Sequence, residues 1–122
     1  MISRFSPGTR SSLAVSHNGT LYFAVTPQSP YDPKLSATEQ MEQLTAKAEE
    51  RLTALGSGKP LLLFCAILLK DMADYAAVNA VWDRWIDPKN PPARCCFSAE
   101  LANPDMKVEM VVIAAQQSLP QS

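Results

Sequence analysis

The sequence has no excess of basic charge: 11 Lys and Arg stand against 12 Asp and Glu, for a formal charge of -1 over 122 residues. Proteins that hold nucleic acid through its phosphates carry a basic footprint, so the balance argues against a nucleic-acid partner. Histidine occurs once, at His17, and Cys65, Cys95 and Cys96 show no CxxC or Cys/His spacing, which argues against a zinc framework. The cysteine count is odd and two are adjacent, so the expectation is reduced thiols in a cytoplasmic protein. Long apolar runs are missing. The longest, Leu61–Leu69, has nine residues, against about 20 for a membrane-spanning helix. Residues Met1–Pro7 lack the apolar run of a signal peptide. The chain is therefore expected to be soluble, with no membrane partner. The glycine-rich dinucleotide and P-loop patterns, the paired-histidine zinc motif and the serine-nucleophile elbow are also absent.

What is present is ordinary globular composition, 47% hydrophobic and 19% charged, at the length of one domain spanning residues 1–122. Ten prolines punctuate it, among them Pro27, Pro30, Pro33, Pro60, Pro88, Pro91, Pro92, Pro104 and Pro120. They divide the chain into two hairpin-like β regions, two helices and a central apolar strand. Ser11–Ser16 and Thr20–Thr26 read as strands joined by a turn at Asn18-Gly19, where positive φ is tolerated. Ser36-Ala37-Thr38-Glu39 fits a capping box. Met41, Leu44, Ala48, Leu52 and Leu55 then form one apolar stripe, with Gly56 just past the helix end. Leu61–Leu69 has no polar alternation and suits a strand covered on both faces. Asp71 or Asp74 caps a second helix with the stripe Tyr75, Val78, Trp82 and Trp85, its tryptophans packing against the sheet. Arg94–Ser98 reads as a strand near an edge, and Lys107–Ala114 as the last strand. The order β-β-α-β-α-β-β implies an α+β fold with two helices on one face of a mixed sheet. No third helix is available for the other face, so its simplest cover is another copy of the chain.

Two charges interrupt this pattern. Glu109 shares a strand face with Val111 and Ile113, and Arg94 opens an apolar strand. Two readings stand. The charges sit in an ion pair within the chain or across an interface, Arg94 with Glu109 for instance, which offsets the cost of burial. Alternatively, the planar guanidinium binds a small carboxylate while the acid orients a water. His17 is expected to be exposed beside its turn. At least one of Cys95 and Cys96 is expected to act as a small buried hydrophobe rather than a nucleophile.

The blocks Asp71–Asn79 (DMADYAAVN), Pro92–Cys96 (PARCC) and Lys107–Ala115 (KVEMVVIAA) resemble the reactive intermediate deaminase (Rid) family, the YjgF/RidA superfamily. Arg10–Tyr22 and Val81–Trp85 (VWDRW) are similar to its YoaB-like branch, and the likeness spans about residues 10–115. The resemblance implies a chorismate-mutase-like fold, homotrimers and a cleft at each subunit interface. It implies hydrolysis of 2-imino acids, reached from their enamine tautomers, to 2-keto acids and ammonia. Arg94 would clamp the substrate carboxylate and Glu109 would orient water. The backbone at Cys96, and Asn79, would line the cleft. A protonated imine is already electrophilic, so no cofactor or metal is expected. Two positions depart from RidA-type members: Ser12 falls at or near a family Tyr, and Thr26-Pro27 replaces a Gly-Gln pair, which narrows and stiffens one wall. Arg10 is a candidate for a second positive charge. The other functions weighed are a binding module for small carboxylates in the same cleft, and a ribonuclease, against which the charge balance speaks.

Overall fold

Ser36 starts the longer helix, α1 (Ala37–Ala54): its hydroxyl accepts from the Glu39 amide while the Glu39 carboxylate accepts from the Ser36 amide. This is the expected capping box. At the other end Gly56 takes φ 77°. The amides of Gly56 and Ser57 then donate back to the carbonyls of Thr53 and Leu52, closing a Schellman turn that only a residue free of Cβ strain adopts at low cost. The second helix, α2 (Tyr75–Trp85), follows a 3-10 turn at Met72–Asp74. Asp71 caps this 3-10 turn, accepting from Ala73 N, while Asp74 at the start of α2 makes no side-chain cap, so neither caps α2 directly. The buried face of α2 is Val78, Val81 and Trp82, while Tyr75 is exposed.

The computed structural model describes residues 1–117, so Pro120 lies outside the described residues. The strands are β1 (Ile2–Pro7), β2 (Ser12–His17), β3 (Thr20–Val25), β4 (Leu62–Leu69), β5 (Ala93–Ser98) and β6 (Val108–Ala115), forming one sheet in the order β1-β2-β3-β6-β4-β5. All pairs are antiparallel except β4 with β5. The α+β class stands, with two additions from the structure. First, β1 was not legible: Ile2 and Phe5 are three apart and fall on opposite faces, so no period-two signal exists. Second, β5 and β6 do not form a hairpin, because β4 lies between them. The β2–β3 hairpin turns at Asn18 and Gly19 with φ 51° and 77°, as their sequence implies.

Both helices pack on one sheet face. The core lies between them and Leu21, Phe23, Val25, Cys65, Ile67, Leu69, Val108, Met110 and Val112, all buried. One buried polar side chain closes the core at its loop end. Gln40 on α1 is fully buried, donates to the carbonyls of Asp32 and Asp105, and accepts from Lys107 N. It ties the proline-rich loop before α1 to the turn before β6. Lys107 adds bonds from its ammonium to the carbonyls of Pro33 and Leu35. Replacing Gln40 by Leu keeps the volume but leaves two carbonyls and an amide without this partner. The expected loss is about 3 kcal/mol, read as a lowered urea midpoint. A midpoint equal to wild type would show that the amide does not hold the loops.

Candidate functional site

Strand β5 positions Arg94. It lies at the sheet edge and pairs in parallel with β4, setting Arg94 opposite Cys65 and Cys96 opposite Ile67. Cys65 and Ile67 are buried under the helices, so Arg94 and Cys96 take the helix-facing side, where both are half-buried. Ala93, Cys95 and Phe97 take the other side and are exposed. The Arg94 guanidinium lies over the Trp82 ring, with its central carbon 5.1 Å from the ring centroid. Asn79 sits one turn earlier on α2, half-buried on the same flank. Burial pushes the Cys65 thiol up to about 12, against a weaker downward pull from Arg94. Burial also raises Cys96, again opposed by Arg94. The adjacent cysteines point to opposite faces of an extended strand.

Strand β6 positions Glu109 on the other face. Its register sets Glu109 beside Leu68, which in turn lies beside Phe97. On its other side β6 pairs with β3 up to Met110 opposite Val25, and Thr26 and Pro27 follow just past the end of that pairing. Val108, Met110, Val112 and Ala114 are buried beneath the helices; Glu109, Val111 and Ile113 alternate with them on the outer face. Arg94 and Glu109 therefore leave the sheet on opposite sides, and an ion pair between them inside one chain is ruled out. The ion pairs among the described residues, Lys59–Glu49 and Arg84–Glu42, lie elsewhere. Around Glu109 the outer face is apolar, with Tyr22, Phe97 and Val111 exposed at 43%, 48% and 38%. Neither helix covers it.

The segment that follows β3 is fixed in place by side chains. Tyr31 donates to the Thr26 hydroxyl at 3.1 Å, and the Lys47 ammonium donates to the same oxygen and to Pro27 O at 3.3 and 3.1 Å. Burial, with the neighbouring Arg51 charge, lowers the Lys47 pKa. Ser12 is half-buried at the start of β2, and Arg10 is exposed in the turn before it. A shallow depression of about 870 Å³ opens at the far end of β5, between Lys70, Ser98, Glu100 and Asn103. Neither Arg94 nor Glu109 lines it. One residue escaped sequence reasoning as part of this site: Trp82 reads as core, and it is core, but it also carries Arg94. Its helical position was legible. The strand pairing that sets Arg94 over it was not.

A mixed sheet with both helices on one face and a charged group on each side defines an α+β protein with a two-sided sheet. The sequence profile described as Endoribonuclease L-PSP matches residues 1–116, and the chain belongs to that family. It is 39% identical over 114 residues to a RutC family protein of Haemophilus influenzae, covering 93% of this chain and 97% of that one. It is 37% identical to the RutC family protein YoaB of Escherichia coli, with the same coverage. A solved YjgF-family structure from Neisseria meningitidis superimposes with a TM-score of 0.88 at 34% identity, over 97% of each chain. The resemblance read from the motif blocks is thus borne out at the level of family and fold. Among the described residues, no helix is long and apolar enough to cross a membrane.

The buried Cys65 thiol gives a direct chemical check. With its pKa pushed up to about 12, its thiolate fraction at pH 8 is on the order of one in ten thousand. Iodoacetamide at pH 8 should leave Cys65 unmodified in the folded protein and label it in urea, as read by peptide mass spectrometry. Labelling of Cys65 without denaturant would show that β4 opens to solvent.

Proposed function

We propose that the protein hydrolyses small 2-imino acids, reached from enamine tautomers, to 2-keto acids and ammonia, at clefts shared between copies of the chain. The observation that carries the reading is the state of Arg94: its guanidinium rests on an aromatic face, with no carboxylate within ion-pair distance among the described residues. Such a guanidinium keeps its N–H fork available for a substrate carboxylate. Family membership supports the same chemistry, since the PARCC and KVEMVV blocks stand at the strands that carry Arg94 and Glu109.

The step balances without a redox partner. Arg94 holds the carboxylate of the protonated imine. Glu109 accepts a proton from water as the water oxygen bonds to the imine carbon and the C=N pair moves onto nitrogen. Glu109 then returns that proton to the amine. The C–N bond breaks, the hydroxyl proton leaves with the nitrogen, and iminium plus water becomes keto acid plus ammonium. Exclusion of bulk water and fixed orientation supply the rate.

Because the two side chains leave opposite faces of one sheet, they meet only if Arg94 of one copy faces Glu109 of another. The uncovered outer face, with Tyr22, Phe97 and Val111 exposed, supplies an apolar surface for that contact. We read the assembly as a homotrimer. A second reading, a module that holds 2-keto acids without turnover, is favoured by the wall at Thr26 and Pro27, which Lys47 and Tyr31 hold rigid. The near-neutral charge supports neither RNA binding nor RNA cleavage.

With 2-aminoacrylate generated in situ by a dehydratase, wild type should speed imine decay and ammonia release. Arg94→Ala and Glu109→Gln should each lower the rate by roughly a hundredfold or more. Equal decay with wild type and Arg94→Ala would refute the hydrolase. Saturable keto-acid binding without ammonia release would establish the module instead. Light scattering should give about three times the 13.3 kDa chain mass; a monomer would remove both the trimer and the shared cleft.

A further inference from the structure

Arg94 is not the only cation on an indole. Trp82 and Trp85 lie with ring centroids 5.8 Å apart and planes tilted by 58°. Arg94 rests on Trp82 at 5.1 Å, and the Lys59 ammonium rests on Trp85 at 5.5 Å. Trp85 is held from three directions. Its indole N–H donates to Glu49 on α1 at 3.0 Å, and its carbonyl accepts from Lys59 at 2.9 Å. Lys59 and Glu49 pair at 3.6 Å. Trp82 itself is buried, with 6% exposure, so its ring has little freedom to turn. Contacts from α1, the turn before β4 and α2 thus converge on a pair of rings, and Arg94 lies over Trp82, one of the two.

We propose that Trp82, braced by Trp85, is the positioning residue for Arg94, holding the guanidinium over the ring so that its N–H donors stay open to a ligand carboxylate. The inference rests on reading Arg94 as the carboxylate clamp. An arginine held by an acidic side chain must give up that partner before it can bind a substrate carboxylate in the same fork. A ring face attracts the cation through its quadrupole and uses none of the N–H donors. The guanidinium is thus ordered beforehand without being occupied, which lowers the entropy cost of binding. Lysine at this position would keep the charge but lose both the stacking plane and the fork.

The test uses the full chain and two readouts. The first is 15N relaxation of the Arg94 Nε–Hε group, identified by its loss in Arg94→Lys. The second is calorimetric titration with pyruvate. Trp82→Leu keeps an apolar filler without a π face, and Trp82→Phe keeps a weaker one. In Trp82→Leu the Arg94 Nε should become mobile and pyruvate affinity should fall roughly five- to tenfold. In Trp82→Phe both effects should be smaller, whatever the ranking of the two urea midpoints. If Trp82→Leu shows no cooperative unfolding, Trp82→Phe against wild type carries the same comparison. An Arg94 Nε as ordered in the variants as in wild type overturns the proposal, whether or not pyruvate binds. So does a mobile Nε with unchanged affinity, or affinity that follows stability rather than the ring. If Nε mobility rises as expected but wild type itself does not bind pyruvate, the ring's hold on Arg94 stands and the carboxylate-clamp reading of Arg94 fails.

Discussion

In an extended strand, neighbouring side chains leave the backbone on opposite sides, and a sheet with helices on only one side therefore carries two chemically different surfaces. Here the parallel pairing of β4 with β5 and the antiparallel pairing of β4 with β6 fix those surfaces residue by residue. Arg94 falls on the helix side and Glu109 on the bare side. The same alternation that buries Cys65, Ile67, Met110 and Val112 also sets the only strand-borne cation and acid of these elements apart. A one-residue slip of either strand would reverse its faces, so the core packing and the placement of the charges are the same constraint.

Each charge is then accommodated differently. Arg94 is partly desolvated, and an indole face offsets that cost. Glu109 stands half-buried among apolar neighbours on the face that the helices leave bare. A carboxylate in such a place costs stability unless it gains a partner, and the hydrolytic reading proposed above gives it one in the attacking water. In that proposal an arginine open to a carboxylate and an acid that orients water are complementary parts of one hydrolytic site. The sheet keeps them apart within a chain, so the proposed site needs a second copy.

The helices were the most legible part of the molecule because their signals are local. The Ser36 capping box, the stripe from Met41 to Leu55 and Gly56 beyond it all lie within one segment, and each appears where its chemistry put it. The Asn18-Gly19 turn and the edge position of β5 were legible for the same reason. What was not legible depends on pairing between distant segments. The first strand shows only Ile2 and Phe5 on opposite faces, so its partner β2 defines it. The insertion of β4 between β5 and β6, and the seating of Arg94 on Trp82, are set by contacts between residues far apart in the chain. Glu109, by contrast, was visible as a charge among Val111 and Ile113, because that pattern is local. Its separation from Arg94 became apparent only with the register.

The central claim is that Arg94 and Glu109 act together only across copies of the chain. Mixing two inactive variants tests it most directly. Arg94→Ala and Glu109→Gln, unfolded together in equal amounts and refolded, should recover about one quarter of wild-type imine hydrolysis, because a quarter of randomly assembled interfaces would pair an intact Arg94 with an intact Glu109. Recovery no greater than that of the separately refolded variants would contradict the account.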